Sequence, residues 1–264
     1  MTQVPPAIAA CGDQLRAHDR ERFLMSLFAP AAVRARLWAI YAFNDEVARL
    51  REQVREPLLG HIRLQWWRES LEGAAAGRPR RHPVVEGLAL AIAEAGLPLA
   101  PFEAVLAARE QDLEPVPPAD LAAFDAYAEG TGGAIEGLAA LAMGLPEAAG
   151  RAAGRAYAMA GLLRAVPHHA ARRRLHLPAD RMAAHGVSAR ALLELRPEPG
   201  LRALVSELAG RVDATGSLPP AVLARGHLAR LRRSGHDPFD ARNALPLPLA
   251  PLRLWWASLG RRHG

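Results

Sequence analysis

The stretch APAAVRARLWAIYAFNDEVARLREQV, residues 29–54, decides the fold class of this protein. Its apolar side chains recur every three or four residues, the spacing that places them on one face of an α-helix. They are Val33, Leu37, Ile40, Ala42, Phe43, Val47 and Leu50. Pro30 and Pro57 suit helix starts, because the first turn of a helix does not use the N–H that proline lacks. The stretch therefore predicts a long amphipathic helix followed by a second helix.

The same spacing continues along the rest of the chain, and the alternation of apolar and polar residues typical of half-buried strands is missing. Connections rich in glycine and proline separate the apolar segments. We predict further helices over 57–76, 83–96, 99–110, 118–143, 147–166, 199–214, 219–233 and 248–260. The chain is thus predicted to be all-α, with one domain over residues 1–264, and either a central pocket or a solid core between its helices.

The net charge, the cysteine count and the lack of long apolar runs indicate the compartment of the protein and the class of its partners. The chain has 264 residues and a net charge of +6, and all of its 33 basic residues are arginine. This surplus suits an anionic ligand or an acidic membrane surface, and no lysine-rich tail favours nucleic acid. Cys11 is the single cysteine, which excludes an internal disulfide and a cysteine metal cluster. No signal peptide or apolar run of ~18 residues is present, so we expect a cytoplasmic protein, with peripheral attachment to the inner face of the cytoplasmic membrane left open.

The stretch RAVPHHAARRRLHLP, residues 164–178, combines a helix breaker with a cluster of cationic side chains. Pro167 predicts that the preceding helix kinks or ends near Val166. Two interpretations of the arginines at 172–174 stay open: favourable cations at a helix end, or a group that binds phosphate or carboxylate. For His168 and His169 we favour polar or pocket-lining roles over metal binding, because adjacent histidines on a helix point about 100° apart.

Several landmarks follow one another in a familiar order. They are YAF at 41–43, RLQWWRESLEG at 63–73, HPV at 82–84, Tyr127 in a glycine-containing helix, and RRRLHLP at 172–178. In this order and spacing the chain resembles the squalene and phytoene synthase family. The resemblance implies the all-helical isoprenoid synthase fold, in which helices surround a deep cavity. It also implies two facing aspartate-rich helices that hold Mg²⁺ against the diphosphates of prenyl substrates.

The sequence departs from the family at the positions of these aspartates. In the first motif Ala48 and Arg49 replace two aspartates, and Glu52 alone keeps a carboxylate. In the second motif Ala165 and His169 take the aspartate positions. Mg²⁺ requires hard oxygen ligands. If Arg49 lay within ~4 Å of a divalent ion, the repulsion would reach roughly 8 kcal/mol at an effective dielectric near 20. We therefore predict that metal-dependent prenyl condensation is lost and that no cofactor is bound.

A narrower resemblance concerns one branch of the family. AFNDE at 42–46, RAVPHHAARRRLHLP at 164–178 and NALPLPL at 243–249 resemble the non-catalytic branch that contains a mitochondrial complex I assembly factor. This implies a role in assembling the respiratory NADH:quinone oxidoreductase at the membrane, with a complex I subunit or an assembly intermediate as partner. Two alternatives stay open: a prenyltransferase of the squalene or phytoene type that uses Mg²⁺, and a binder of prenyl lipids.

The resemblance also gives candidate residues for an anionic or prenyl lipid. Asn44 and Glu46 are the polar candidates on the first motif helix, and a buried hydrogen-bonded pair is the alternative interpretation. The full set of ligand-binding candidates is Asn44, Glu46, Glu52, Arg164, His168, His169, Arg172, Arg173 and Arg174.

The C-terminal stretch PLPLAPLRLWWASLGRRHG, residues 246–264, has the pattern of an amphipathic helix. Its apolar and basic residues are Leu252, Trp255, Trp256, Leu259, Arg253, Arg261 and Arg262. This pattern fits a helix that lies on a membrane surface. It also fits a terminal helix packed against the core, and we favour core packing.

Overall fold

A computed structural model describes residues 4–54, 56–114 and 116–260 of the protein. Within these ranges the secondary structure is helical, with no β-strand. The α-helices are α1 Pro6–His18, α2 Arg20–Ser26, α3 Ala31–Gln53, α4 Pro57–Ala75, α5 Pro83–Ala95, α6 Ala100–Glu110, α7 Leu121–Ala128, α8 Ala134–Ala142, α9 Glu147–Arg164, α10 Val166–Ala171, α11 Ala179–Ala184, α12 Ala189–Leu193, α13 Gly200–Gly210, α14 Pro219–Arg233 and α15 Ala250–Gly260. The all-α prediction is confirmed, and none of these helices is long and apolar enough to cross a bilayer.

The segments with the most regular apolar spacing predicted the limits of their helices accurately. α3 follows Pro30 and ends where Val54 becomes extended, and α4 begins at Pro57. The predicted break near Val166 is also confirmed, because α9 ends at Arg164 and α10 carries Pro167 in its first turn. Pro167 has no N–H to lose from a helix ladder at this position.

Two sequence predictions differ from the structure. The predicted helix over 118–143 is divided into α7 and α8 by a π-helical turn at Glu129–Gly133. Within this turn the Thr131 hydroxyl donates to the Tyr127 carbonyl at 2.7 Å, and Gly132 lies close to the Gly154 carbonyl. The sequence prediction also missed α1 and α2 near the start of the chain and the short helices α11 and α12.

The described residues form two compact units, each with its own apolar core. The described residues of the first lie within the ranges Met1–Leu113 and Ala134–Arg151. In its core the Phe43 ring lies edge-on to the rings of Trp67 and Phe102, with centroids 5.2 and 5.4 Å away. Each buried aromatic ring of this kind contributes about 1.5–3 kcal/mol to stability. α3, which carries Phe43, packs against α1, α5 and α8.

The described residues of the second unit lie within the ranges Glu114–Gly133 and Ala152–Gly264. Its core includes Phe124, Leu163, Leu204 and Leu208, which are fully buried. α14 packs against α15, and α10 packs against α12. The chain enters each unit twice, and the expectation of a single domain over residues 1–264 stays a prediction.

Candidate functional site

Arg49, which lies in the first altered motif on α3, forms an ion pair within its own unit. The Arg49 Nη1 atom lies 3.6 Å from Oδ2 of Asp45, one helical turn earlier. Asp45 is buried, and the same oxygen accepts a hydrogen bond of 2.8 Å from Nε2 of Gln14 on α1. His18 lies beside both groups, with Nδ1 2.6 Å from the Arg49 guanidinium. Arg49 thus balances a buried carboxylate of its own helix.

The side chains at the altered positions of α3 do not fit a magnesium ion. Ala48 offers a methyl group and Arg49 a guanidinium, whereas Mg²⁺ binds carboxylate and water oxygens. Glu52 is exposed at the end of the motif. Across the described part of the chain, no three His, Cys, Asp or Glu side chains come together in a group that could hold a metal ion. The expected lack of a cofactor stays a prediction.

Glu46, the next residue along α3 from Asp45, lies in a different environment. Its Oε2 atom is 3.6 Å from Nε2 of His82, just before α5. The His82 ring packs edge-on against the rings of Trp66 and Trp67, at 5.5 and 5.7 Å. Burial, followed by the charge of Asp45, raises the pKa of Glu46 from 4.5 to about 7. Burial also lowers the pKa of His82, so the site favours the uncharged form of both groups.

Replacing Glu46 with glutamine should stabilise the protein above neutral pH. Between pH 4.5 and about 7 the folded state keeps a proton that the unfolded chain releases, so wild-type stability falls as the pH rises through this window. With 28% of the side chain exposed, we expect a gain of about 1–2 kcal/mol from Glu46→Gln. Urea unfolding across this pH range checks it. An unchanged pH slope in the variant would show that Glu46 ionises normally.

The second altered motif lies at the junction of α9 and α10. Ala165 separates the two helices, and Arg164 before it points its Nη1 atom at the Asn243 carbonyl, 3.5 Å away. Asn243 is buried, and its Nδ2 atom donates to the Asp237 carbonyl at 2.8 Å. The structure therefore brings together the two landmarks RAVPHH and NALPLPL within the second unit.

The three consecutive arginines have different environments. Arg172 is exposed and its Nη1 atom contacts Nδ1 of His168 at 3.0 Å. Arg173 is exposed, with a φ of +57°. Arg174 is buried. The arginines thus do not share one face of this segment, because the chain leaves the helix after Ala171.

Aromatic rings surround the buried end of this segment. His169 lies edge-on to His176 with centroids 4.6 Å apart, and His176 lies 5.0 Å from the ring of Tyr127. The small space lined by His169, Arg174 and His176 has a volume of about 10 Å³. This is about the size of one water molecule. Ligand binding by the predicted residues of both motifs stays a prediction.

Sequence reasoning did not select Asp45 or His82 as site residues. Asp45 could have been found, because a carboxylate four residues before an arginine on a helix is a standard ion-pair spacing. The contact between Glu46 and His82 joins residues far apart in the chain, so no local sequence pattern predicts it.

Comparison with known proteins assigns the family. Residues 15–216 match the model of the squalene/phytoene synthase family. The chain belongs to this family. A complex I assembly factor 6 from Bos taurus is 30% identical over 273 residues, covering 96% of this chain and 82% of that protein. A phytoene synthase from Thermus thermophilus is 33% identical over 270 residues, covering 93% and 88%.

Solved structures give the same fold. A dehydrosqualene synthase in complex with ligand superposes with a TM-score of 0.81 at 19% identity, covering 98% of this chain and 97% of that one. The squalene synthase HpnC from Alicyclobacillus acidocaldarius gives a TM-score of 0.75 at 21% identity, covering 88% and 95%. The isoprenoid synthase fold expected from the sequence landmarks is therefore confirmed.

Proposed function

We propose that this family member is a non-catalytic assembly or scaffolding factor for the respiratory NADH:quinone oxidoreductase, complex I, at the membrane. The observation that carries the proposal is the pairing of Arg49 with Asp45 on α3. Prenyl condensation by the family would use carboxylates here to hold Mg²⁺ against a departing diphosphate. Alanine and a paired arginine supply no such ligand, and we propose that the chain binds no magnesium cluster.

The assembly role draws its support from the relatives. The assembly factor 6 of Bos taurus and that of Rattus norvegicus, at 27% identity, both align over nearly the whole chain. The partner we propose is accordingly a complex I subunit or an assembly intermediate. We further propose that the protein works on the cytoplasmic face of the membrane, which fractionation of cells at low and high salt would test.

Prenyl transfer is the second candidate. The 33% identity to the phytoene synthase of Thermus thermophilus favours it. A member that binds a prenyl lipid without converting it is a third possibility for the same fold. The first two differ in a measurable way, because only a transferase releases a hydrocarbon from prenyl diphosphates.

A paired experiment tests the proposal. Purified protein is incubated with farnesyl or geranylgeranyl diphosphate and Mg²⁺, with the phytoene synthase of Thermus thermophilus as the positive control. In parallel, the gene is deleted and NADH:quinone oxidoreductase activity is measured in membranes. We expect no hydrocarbon product, and a loss of oxidoreductase activity that the wild-type gene restores. Hydrocarbon formation would overturn the non-catalytic assignment, and normal oxidoreductase activity in the deletion strain would exclude the assembly role.

A further inference from the structure

The outer face of the C-terminal helix α15 is apolar and uncovered. Leu254 is buried, with 1% of its surface exposed, whereas Leu252, Trp255 and Trp256 are 46%, 48% and 66% exposed. α15 packs against α14 as expected, through Ala250 and Leu254, but these three residues do not take part in that packing. Ala250 and Leu254, four residues apart, form the inner face, and a helix turns by about 100° per residue. The two tryptophans consequently point away from the core. Arg261 and Arg262 lie outside the described residues.

The sequence around this helix carries the charge surplus of the chain. Residues 214–264 contain eight arginines and two aspartates, a surplus of six that equals the net charge of +6 of the whole chain. The remaining residues are therefore balanced in formal charge. A large single-sign charge on one segment attracts a surface of the opposite sign.

A groove beside α15 brings part of this charge next to the apolar face. It has a volume of about 1020 Å³ and is lined by residues of α13, α14 and α15, among them Arg225, Arg232, Arg253 and Trp256. Arg225 donates to the carbonyls of Ala214 and Gly216. Among the described residues, no carboxylate lies within ion-pair distance of Arg232 or Arg253.

The groove also contains a carboxylate, which forms no ion pair with Arg232 or Arg253 among the described residues. Asp213 lines the same groove, where its Oδ1 atom accepts a hydrogen bond from the backbone of Thr215 at 3.0 Å. Arg232 and Arg253 thus remain available to an anion from outside the chain.

We propose that the docking face, defined as Leu252, Trp255 and Trp256 with Arg232 and Arg253, binds the surface of an anionic phospholipid bilayer. Tryptophan rings prefer the boundary between lipid headgroups and acyl chains. The guanidinium group of arginine binds phosphate oxygens through two parallel N–H donors. A helix with an apolar outer face beside basic side chains suits insertion parallel to the membrane surface.

Charge argues against a second copy of the chain as the occupant. Two copies meeting through this face would bring together two segments that each carry a surplus of six positive charges. Like charges at an interface suppress association. The inference rests on the proposed function for its biological setting at the membrane, whereas the physical argument uses only residues of the second unit.

Vesicle binding by the purified full chain tests the proposal. Sedimentation and tryptophan fluorescence are measured with vesicles of phosphatidylcholine and with equimolar phosphatidylcholine and phosphatidylglycerol. We expect binding to the anionic vesicles that weakens with added salt. The double variant Trp255→Ser/Trp256→Ser should weaken it by at least about tenfold for each ring. Its control is Leu58→Ser/Ile62→Ser, which removes apolar side chains that are 66% and 56% exposed on α4.

A second pair of variants isolates the charge. Arg232→Gln/Arg253→Gln should weaken anionic vesicle binding by about fivefold for each arginine. Arg190→Gln/Arg196→Gln changes the net charge equally, at two exposed arginines that both pair with Glu194, and should retain binding. Equal losses in test and control variants would overturn the proposal.

Further outcomes separate this proposal from the assembly role. No anionic vesicle binding by the wild type overturns the docking face, and a dimer in light scattering that Trp255→Ser/Trp256→Ser dissociates would then assign the face to a second copy. Vesicle binding that requires the tryptophans, combined with normal oxidoreductase activity in the deletion strain, supports the docking face and refutes the assembly role alone.

Discussion

Replacing Arg22 with methionine should lower the free energy of unfolding by about 3 kcal/mol or more, because it leaves a buried carboxylate without its cation. The carboxylate is Glu136 of α8, which is 3% exposed. Its Oε1 atom lies 3.4 Å from Nε of Arg22, and its Oε2 atom accepts a hydrogen bond of 2.8 Å from the Tyr41 hydroxyl. Tyr41 is the first residue of the YAF landmark, so this landmark contacts the buried carboxylate directly.

The pKa of Glu136 is set by its burial and by the charge of Arg22. Burial raises the pKa of Glu136, while the charge of Arg22 acts in the opposite direction. Without Arg22 the pKa of Glu136 rises further. A carboxyl group with a raised pKa contributes stability at low pH that is lost as the pH rises through the interval between its unfolded and folded pKa values. The deficit of Arg22→Met should therefore shrink as the pH falls.

Urea unfolding of single and double variants measures the effect. Arg22→Met/Glu136→Gln should recover most of the lost stability at neutral pH, because the neutral amide needs no counter-ion and retains an acceptor for the Tyr41 hydroxyl. If the double variant is as unstable as Arg22→Met, the loss reflects packing of the long Arg22 side chain rather than an uncompensated charge.

The periodic helices could be predicted because local pattern and tertiary packing agree in them. α3 has a regular apolar spacing and a proline on each side, and its observed limits match the prediction. The π-helical turn at Glu129–Gly133 could not be predicted in this way. It depends on the close approach of Gly132 to Gly154 and Ala158, which are about twenty residues away along the chain.

The orientation of α15 shows a different limit of sequence reasoning. The helix has apolar residues around most of its circumference, so periodicity does not tell which of them face the core. Leu254 is buried while the adjacent Trp255 is exposed, and this difference depends on the packing of α15 against α14.

The candidate site could likewise be predicted only in part from the sequence. The altered aspartate positions are visible in the sequence, whereas the contact between Glu46 and His82 requires the fold.

Replacing Gly150 with alanine should destabilise the protein by about 3 kcal/mol, because the added methyl group has no space. Gly150 lies in α9, and a Cβ atom there would overlap the Glu136 carbonyl oxygen and lie 2.6 Å from Cβ of Ala140. A backbone carbonyl within a helix cannot rotate away as a flexible side chain would. The helices would have to separate, and the burial of Glu136 beside them would be disturbed as well.

Gly161→Ala in the same helix is the matched control. A Cβ atom at Gly161 meets no other atom within 4 Å, so alanine should stabilise the helix by about 0.5–1 kcal/mol through its higher propensity. Both variants exchange the same residue types within α9, and thermal and urea unfolding should therefore give shifts of opposite sign. Stabilisation by both variants would mean that α8 and α9 do not approach closely at Gly150.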